Sequence, residues 1–257
     1  MPSVKNSAAR LLALMEAIQA HRITTPGSKS ALDEWKPLLQ KHTGRDGWNA
    51  ITVSEYLIEA DEQATKLQKQ LKSRGILPRG YKHAIHQVKS ALSIGNFSNP
   101  WASVTHALDE LTFVSLVWSS AVLEKVESQI SDEDLSEMTD LIRELETLLG
   151  QDDVPLELKT AIEKHLEGIK RSINLYSIGG VEKIRESLER SVGALHSDVE
   201  VLKEAVDSGD KTQTTVLKKL VSFIDRTTAA ANKATNTAKS IVGLGNAITD
   251  LTKLLGP

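Results

Sequence analysis

The chain has no cysteine, few aromatic residues and no long uncharged apolar run. Without cysteine, disulfides, thiolate metal sites and a cysteine nucleophile are all excluded. Aromatic residues make up 4% of the sequence, so leucine, isoleucine, valine and alanine must fill the interior. The longest strongly apolar stretch, residues 111–123, is too short to span a bilayer and is predicted to form a buried helix. The first residues lack the apolar segment of a signal peptide, which predicts a cytoplasmic location.

Acidic residues are absent from residues 63–108, and this gap belongs to a wider segregation of charge. Residues 1–100 contain 14 Lys and Arg against 8 Asp and Glu, and residues 101–210 contain 10 against 24. Residues 211–257 contain 7 against 2. A basic front, an acidic middle and a basic tail indicate either charge complementarity within the chain or head-to-tail contact between copies. Ordinary solvated helix faces are the third interpretation.

Apolar residues recur at spacings of three and four along most of the chain, and no alternating run indicates a strand. The sequence therefore predicts an all-α protein, an irregular bundle of about eight or nine helices. A long helical hairpin over residues 155–206 is predicted at its centre, with its turn at Gly179 and Gly180. A helical tail is predicted to follow the hairpin.

Three regions differ in charge and composition. We predict a basic N-terminal helical region at residues 1–98 and an acidic helical core at residues 99–207, which contains the hairpin. A basic C-terminal helical tail, rich in alanine and threonine, is predicted at residues 208–257. The core is predicted to begin with one long helix that starts at Asn99 and Pro100 and buries Leu111 and Trp118.

An apolar stripe follows the second helix of the hairpin and continues into the tail. Neither helix can bury such a stripe alone, so we predict that it packs against another copy of the chain or against a protein partner. The predicted interaction residues are Val181, Leu188, Leu195, Leu202, Leu217 and Ile224.

Several short motifs carry a resemblance to known proteins. They are Asp152-Asp153-Val154-Pro155-Leu156-Glu157-Leu158, Ile173-Asn174-Leu175-Tyr176-Ser177-Ile178-Gly179-Gly180-Val181-Glu182, Gly193-Ala194-Leu195, Arg10-Leu11-Leu12-Ala13-Leu14 and Asp33-Glu34-Trp35. Together they resemble a loosely defined family of bacterial all-helical proteins without assigned activity, over roughly residues 7–196. The resemblance implies a bacterial source, a helical fold and a role in stress response or anti-phage defence. It carries over no catalytic residue. Some such proteins end in membrane-spanning tails, whereas the tail here is polar.

Arg190 and His196 match the loose spacing of the helical ribonucleases known as HEPN proteins. In that chemistry a histidine moves a proton and an arginine holds phosphate. The two residues lie six positions apart, on different sides of a helix, so they would share a groove only if the helix were sandwiched between others.

Two further groups carry chemistry in the basic region. His83 and His86 lie three apart on a predicted helix, but no carboxylate nearby in the sequence completes a metal site, so neither a metal nor a cofactor is predicted. A run of cations occupies the acid-free window and could bind phosphates, although we favour a protein contact over nucleic acid. This basic patch consists of Lys66, Lys69, Lys72, Arg74, Arg79, Lys82 and Lys89.

The sequence shows no phosphate-binding loop, serine triad or dinucleotide fingerprint. We therefore predict a non-enzymatic helical protein that acts by self-association, as a homo-oligomer, or by binding a protein partner in a bacterial multi-protein system. A membrane-active or pore-forming effector that uses residues 212–257, in peripheral contact with a membrane, is one alternative. A HEPN-like ribonuclease that uses Arg190 and His196 is the other.

Overall fold

A computed structural model describes residues 6–24, 28–123 and 129–234, with residues 192–197 and 199 described by their backbone alone. Eleven α-helices and no strand occur in this part of the chain, which confirms the all-α prediction. The helices are α1 (Ser7–Thr24), α2 (Ala31–Thr43), α3 (Ala50–Ser73), α4 (Lys82–Ala91), α5 (Ala102–Thr105), α6 (Glu110–Val122), α7 (Asp132–Leu149), α8 (Leu156–Gly179), α9 (Val181–Ser197), α10 (Val199–Asp207) and α11 (Lys211–Ala234).

Two helices that the sequence predicts as continuous are each divided in the structure. The helix predicted from residue 99 onward is α5 followed by α6. Helix α5 ends at Thr105, and Asp109 caps the start of α6. The Asp109 carboxylate accepts a hydrogen bond from the Thr112 backbone N–H, as an N-cap residue does. The stretch 181–206 is likewise α9 followed by α10. These two breaks raise the count from the predicted eight or nine to eleven.

The described residues form two compact units. The first takes its residues from Met1–Val126 and Ser177–Gly179, and the second from Glu127–Tyr176 and Gly180–Pro257. We describe each unit by itself.

In the first unit, α1, α3, α4 and α6 pack as a ring of four helices, each against its two neighbours. The shorter α2 and α5 pack against this bundle. The N-terminal end of α1 lies beside the C-terminal end of α6, where the Asn6 side-chain amide donates to the Ser120 carbonyl at 3.0 Å. Side chains at helical spacing on α1 fill the interior as the sequence predicts: Leu11, Leu14, Met15 and Ile18 are all fully buried.

A pair of tryptophans closes one part of the first-unit core. The rings of Trp35 and Trp101 are fully buried and meet edge to face, with centroids 5.3 Å apart. Trp101 also contacts the His21 ring edge to face at 5.6 Å. His21 Nε2 lies 2.7 Å from the Glu34 carboxylate, and Lys29 Nζ lies 3.2 Å from the other oxygen of that carboxylate. The buried Glu34 is therefore satisfied by two basic groups.

A capping box begins helix α3. The sequence has the form of a capping box at Thr52 and Glu55, but the structure forms the box three residues earlier, between Asn49 and Thr52. The Asn49 side chain accepts hydrogen bonds from the backbone of Ile51 and Thr52, and the Thr52 hydroxyl accepts from the Asn49 N–H. Asparagine is the stronger N-cap residue, and the helix gains its first turn from it.

In the second unit, α7 to α11 surround one continuous apolar core. Helices α8 and α9 are joined at Gly180, whose φ of +72° lies in the left-handed region that side chains disfavour. This is the turn of the predicted hairpin, with both of its helices in the places expected. Their apolar stripes meet in the core, where Ile162 of α8 and Ile184 and Leu188 of α9 are fully buried.

A row of ion pairs joins acidic α7 to basic α11. The Glu144 carboxylate pairs with Lys219, Glu137 Oε1 lies 3.0 Å from Arg226, and Asp134 lies 3.7 Å from Lys233. The three cations recur every seven residues, so they follow one side of α11. The charge segregation between the acidic middle and the basic tail is thus complemented within the chain along this row.

Reversing one charge of these pairs should lower the melting temperature slightly, by an amount that depends on the salt concentration. The substitution Arg226→Glu places two carboxylates opposite each other, and a half-exposed pair is worth about 0.2–1 kcal/mol. We expect the melting temperature to fall by about 1–3 °C at low ionic strength, and by less at high ionic strength. Circular dichroism melts should show recovery in the double variant Glu137→Arg, Arg226→Glu. Equal melting temperatures of the single and double variants would contradict the pairing of Glu137 with Arg226.

Candidate functional site on helix α6

Helix α6 exposes its apolar side instead of burying it. Leu111 and Val114 are each 57% exposed, Val117 is 52% exposed and Trp118 is 43% exposed. The prediction that residues 111–123 form a buried helix, with Leu111 and Trp118 inward, is therefore wrong. We call these four side chains the α6 face.

The side of α6 that packs inward is its small and hydroxyl-bearing side. Thr112, Leu116 and Ser119 are the buried residues of the helix. The Thr112 hydroxyl donates to the Asp109 carboxylate at 2.7 Å, so its polar group is satisfied at the helix start. Because two of the three buried side chains are small, α6 approaches the bundle without burying its larger residues. Helical spacing alone does not reveal which side faces inward when both sides are apolar or small.

The α6 face is close in size to the largest apolar patch of a typical monomeric protein. The largest apolar patch of a typical monomer occupies roughly 300–600 Å² and is often functional. Four large apolar side chains, each about half exposed within eight residues, approach that range. Residues 111–123 contain no charged side chain, so no charged group on the face would lose its hydration when another surface covers it.

Charged groups mark the two ends of the α6 face. Asp109 and Glu110 stand at its N-terminal end, and the Arg74 guanidinium donates to the Val122 carbonyl at 3.2 Å at its C-terminal end. Hydrogen bonds from the Thr112 hydroxyl and from His83 hold the pKa of Asp109 at about 2. Asp109 is therefore a carboxylate at any physiological pH. Among the described residues, carboxylates lie at the start of α6 and the Arg74 guanidinium lies at its end.

The two histidines of the basic region, His83 and His86, lie on one helix. Both are exposed on α4, and His83 Nε2 lies 2.7 Å from the Asp109 carboxylate, a partner just outside the acid-free window. Within the described residues no cluster of three histidine or carboxylate side chains is placed to hold a metal ion. The pair of His83 and Asp109 ties α4 to the start of α6.

Six members of the predicted basic patch are exposed, whereas Lys89 is half-buried and already engaged. Lys89 Nζ lies 3.0 Å from the Asp61 carboxylate and 2.7 Å from the Thr65 hydroxyl. Arg74 belongs to the end of α6 described above. The other five cations stand on the solvent side of α3 and around the turn into α4: Lys66, Lys69, Lys72, Arg79 and Lys82.

Five of the six predicted interaction residues lie in the core of their own unit. They are packed by side chains of the same chain from α7 to α11, so this stripe is no free face in the structure. The exposed fraction is 2% or less for Val181, Leu188, Leu202, Leu217 and Ile224, while the side chain of Leu195 lies outside the described residues.

The predicted nuclease pair is only half described. Arg190 is exposed, with its Nε donating to the Glu186 carbonyl at 3.1 Å and its guanidinium 3.9 Å from the Glu186 carboxylate. The side chain of His196 lies outside the described residues. The structure therefore places the arginine in a local helix contact and leaves the pair as a prediction.

A different histidine of the second unit is buried. His165 on α8 is 3% exposed, and its Nε2 lies 3.3 Å from the Asp198 carboxylate. Burial lowers the pKa of His165 and outweighs the hydrogen bond to Asp198, which raises it. The ring is therefore neutral at neutral pH, and nothing in its spacing along the sequence indicated this environment.

Protonation of His165 should weaken the fold in mild acid. In the unfolded chain this histidine takes up a proton near its ordinary pKa of about 6.5, whereas in the folded chain it does so only at lower pH. Stability should therefore fall as the pH drops below about 6.5 and be unaffected above it. We expect His165→Gln to lose less melting temperature than the wild type between about pH 7.5 and about pH 5.5. Parallel losses would contradict this, since the half-buried His42, whose pKa is also lowered by desolvation, is present in both proteins.

The predicted tail is described as far as Ala234, and its remainder lies outside the described residues. Helix α11 turns Val216, Leu220, Phe223 and Ala231 into the core. Among the described helices, none combines the length and apolar character that crossing a bilayer requires.

Comparisons of the chain with protein-family models, with curated proteins and with solved structures find no match. The resemblance to a bacterial helical family thus stays a prediction.

Proposed function

We propose that this protein acts by binding and association, not by catalysis, and that the α6 face is its contact surface. The observation that carries the proposal is the orientation of α6. Leu111, Val114, Val117 and Trp118 are each about half exposed, while Thr112, Leu116 and Ser119 of the same helix are buried. Exposing a continuous apolar surface costs free energy, and surfaces of this kind mark sites of association.

The residues of the α6 face also suit an interface energetically. Tryptophan is enriched among the residues that contribute most to binding, and Trp118 lies toward one end of the face with the three aliphatic side chains beside it. Depletion of charge is typical of the buried centre of interfaces, and here the charged groups stand at the two ends.

The α6 face supports association better than the stripe on α9 and α11 does. The α9 and α11 residues would have to leave their own core to meet a partner, at a cost of several kcal/mol. The same argument bears on the membrane-active alternative, since the apolar side of α11 would have to leave the core before it entered a bilayer. No such rearrangement is needed at α6.

A site-specific photo-crosslinker tests the proposal in the cells that express the protein. We expect a crosslinker at Val117 to form adducts, because that side chain lies within the face. The matched control is Ile51, which is 71% exposed on α3 and outside the face. The Val117 adducts should disappear on Trp118→Glu. Absence of adducts from Val117, or equal adducts from both positions, would overturn the proposal.

A further inference from the structure

We propose that the α6 face binds the α6 face of a second copy of this chain, with the two helices antiparallel about a twofold axis. This inference rests on the proposed function and adds the identity and the orientation of the partner. Three features of the described residues lead to it: the neutrality of the face, its spacing, and the opposite charges at its ends.

Two α6 faces can pack against each other without bringing like charges together. A twofold interface brings the same surface of both copies together, so any charge on the face would lie near a charge of the same sign. Residues 111–123 carry no charge, and a pair of these faces buries no unpaired charged group.

The spacing of the face suits a second helix. Leu111, Val114 and Trp118 follow one another at three and four residues, which is the spacing of a seam between two packed helices. Helix α6 has 13 residues and is therefore about 20 Å long, enough for about two heptads of such a seam. In an antiparallel pair centred near Val114, Leu111 of one copy lies opposite Trp118 of the other.

The charges at the ends of α6 select the antiparallel orientation. Asp109 and Glu110 lie at the N-terminal end, and Arg74 lies at the C-terminal end through its bond to the Val122 carbonyl. Antiparallel pairing brings the carboxylates of each copy to the arginine of the other, and it also opposes the two helix dipoles favourably. Parallel pairing would bring carboxylates to carboxylates and arginine to arginine.

The same carboxylates make an anionic membrane a poorer occupant of the face. Asp109 is held as a carboxylate by its hydrogen bonds, so it would be repelled by acidic headgroups beside the inserted side chains. A second copy instead supplies an arginine at that position.

The size of the face sets the expected strength of the dimer. Stable complexes bury about 1,200–2,000 Å² in total, and the exposed part of two α6 faces is below that range. We therefore expect a reversible dimer with a dissociation constant in the micromolar range.

Sedimentation measurements on the full chain, from about 1 to about 100 µM, test for this dimer. The wild type should pass from monomer to dimer with rising concentration. Trp118→Glu should weaken dimerisation roughly 30-fold or more, as loss of an aromatic side chain that anchors an interface does. Leu156→Glu is the control, because Leu156 is 71% exposed as an isolated apolar residue. Circular dichroism melts of both variants should match the wild type.

A charge exchange tests the orientation. Glu110→Arg alone and Arg74→Glu alone should each weaken the dimer, and the double variant should restore it. Wild-type affinity in both single variants, or no recovery in the double variant, would overturn the antiparallel arrangement.

The absence of native cysteine permits a direct contact test. A cysteine introduced by Val114→Cys is the sole thiol of the chain and should lie near the twofold axis, so mild oxidation or a short bis-maleimide should link two copies. Ile51→Cys should remain unlinked under the same conditions.

Other occupants of the face would give different results. Dimerisation seen only after removal of residues 235–257 would identify that segment as the occupant and overturn the second copy. So would a strictly monomeric chain that floats with phosphatidylserine vesicles in a way that Trp118→Glu abolishes. A monomeric chain whose Val117 crosslinker still captures a different protein would overturn the dimer while leaving the proposed function intact.

Discussion

The substitution Leu202→Asp should unfold the second unit and not merely separate copies of the chain. Leu202 is 1% exposed in the core formed by α7 to α11. Truncating a buried leucine to alanine costs about 2–5 kcal/mol, and a buried carboxylate without a partner adds to that cost. Since a whole domain is stable by about 5–15 kcal/mol, we expect most of its stability to be lost.

Thermal and urea denaturation followed by circular dichroism measure this loss. The melting temperature should fall by at least about 10 °C, or the transition of the second unit should disappear. Leu156→Asp makes the same chemical change at a side chain that is 71% exposed and should melt within about 2 °C of the wild type. A folded Leu202→Asp variant with an altered oligomeric state would instead favour a role for this stripe in contacts between copies.

The substitution Trp101→Ala should destabilise the first unit by about 3–5 kcal/mol. The indole is fully buried and contacts both Trp35 and His21 edge to face, so its removal leaves a cavity that its rigid neighbours cannot fill. We expect the melting temperature to fall by roughly 10 °C or more. The environment of Trp35 should also become more polar, which its fluorescence would report.

Two variants control for this effect. Trp118→Ala removes the same side chain from an exposed position and should change stability by less than about 0.5 kcal/mol. Trp101→Phe should lie between the wild type and Trp101→Ala, because the indole Nε1 of Trp101 has no hydrogen-bond partner among the described residues. Phenylalanine therefore loses volume but no hydrogen bond. Equal melting of Trp101→Ala and Trp118→Ala would contradict the assignment of Trp101 to the core.

The helical class was predictable because apolar spacing records which side of each helix is buried. This worked for α1 and for the hairpin of α8 and α9, whose stripes do face a core. The hairpin turn was also predictable, since the left-handed backbone at Gly180 favours glycine over any residue with a side chain.

The orientation of α6 was not predictable from spacing. Its sequence is apolar on one side and carries threonine and serine on the other, so periodicity favours the larger residues as the buried ones. Asp109, the N-cap residue of the helix, accepts a hydrogen bond from the Thr112 hydroxyl, so Thr112 can face inward without an unpaired polar group. The partner of the α9 stripe was missed for a related reason, because spacing shows that a face needs cover without showing what covers it.

The pairing of charges was foreseeable only in outline. Segregation of acidic and basic residues indicated complementarity, but not that Glu137 and Arg226 would meet across α7 and α11. The pair of His83 and Asp109 was hidden because the carboxylate lies 26 positions away in the chain, at the start of another helix.

The inward side of α6 also affects how firmly that helix is held. Among its thirteen residues, all of which the structure describes, Leu116 is the one large apolar side chain that is buried. The other helices of the ring each bury more than one, so α6 contributes the fewest buried large apolar side chains to the bundle. Its backbone amides should exchange with solvent earlier than those of α1 or α3, through local opening at one wall of the bundle. A partner that covers the outer side of α6 would slow that opening. The stability of the packing inside the bundle would then depend on whether a partner is bound to the α6 face.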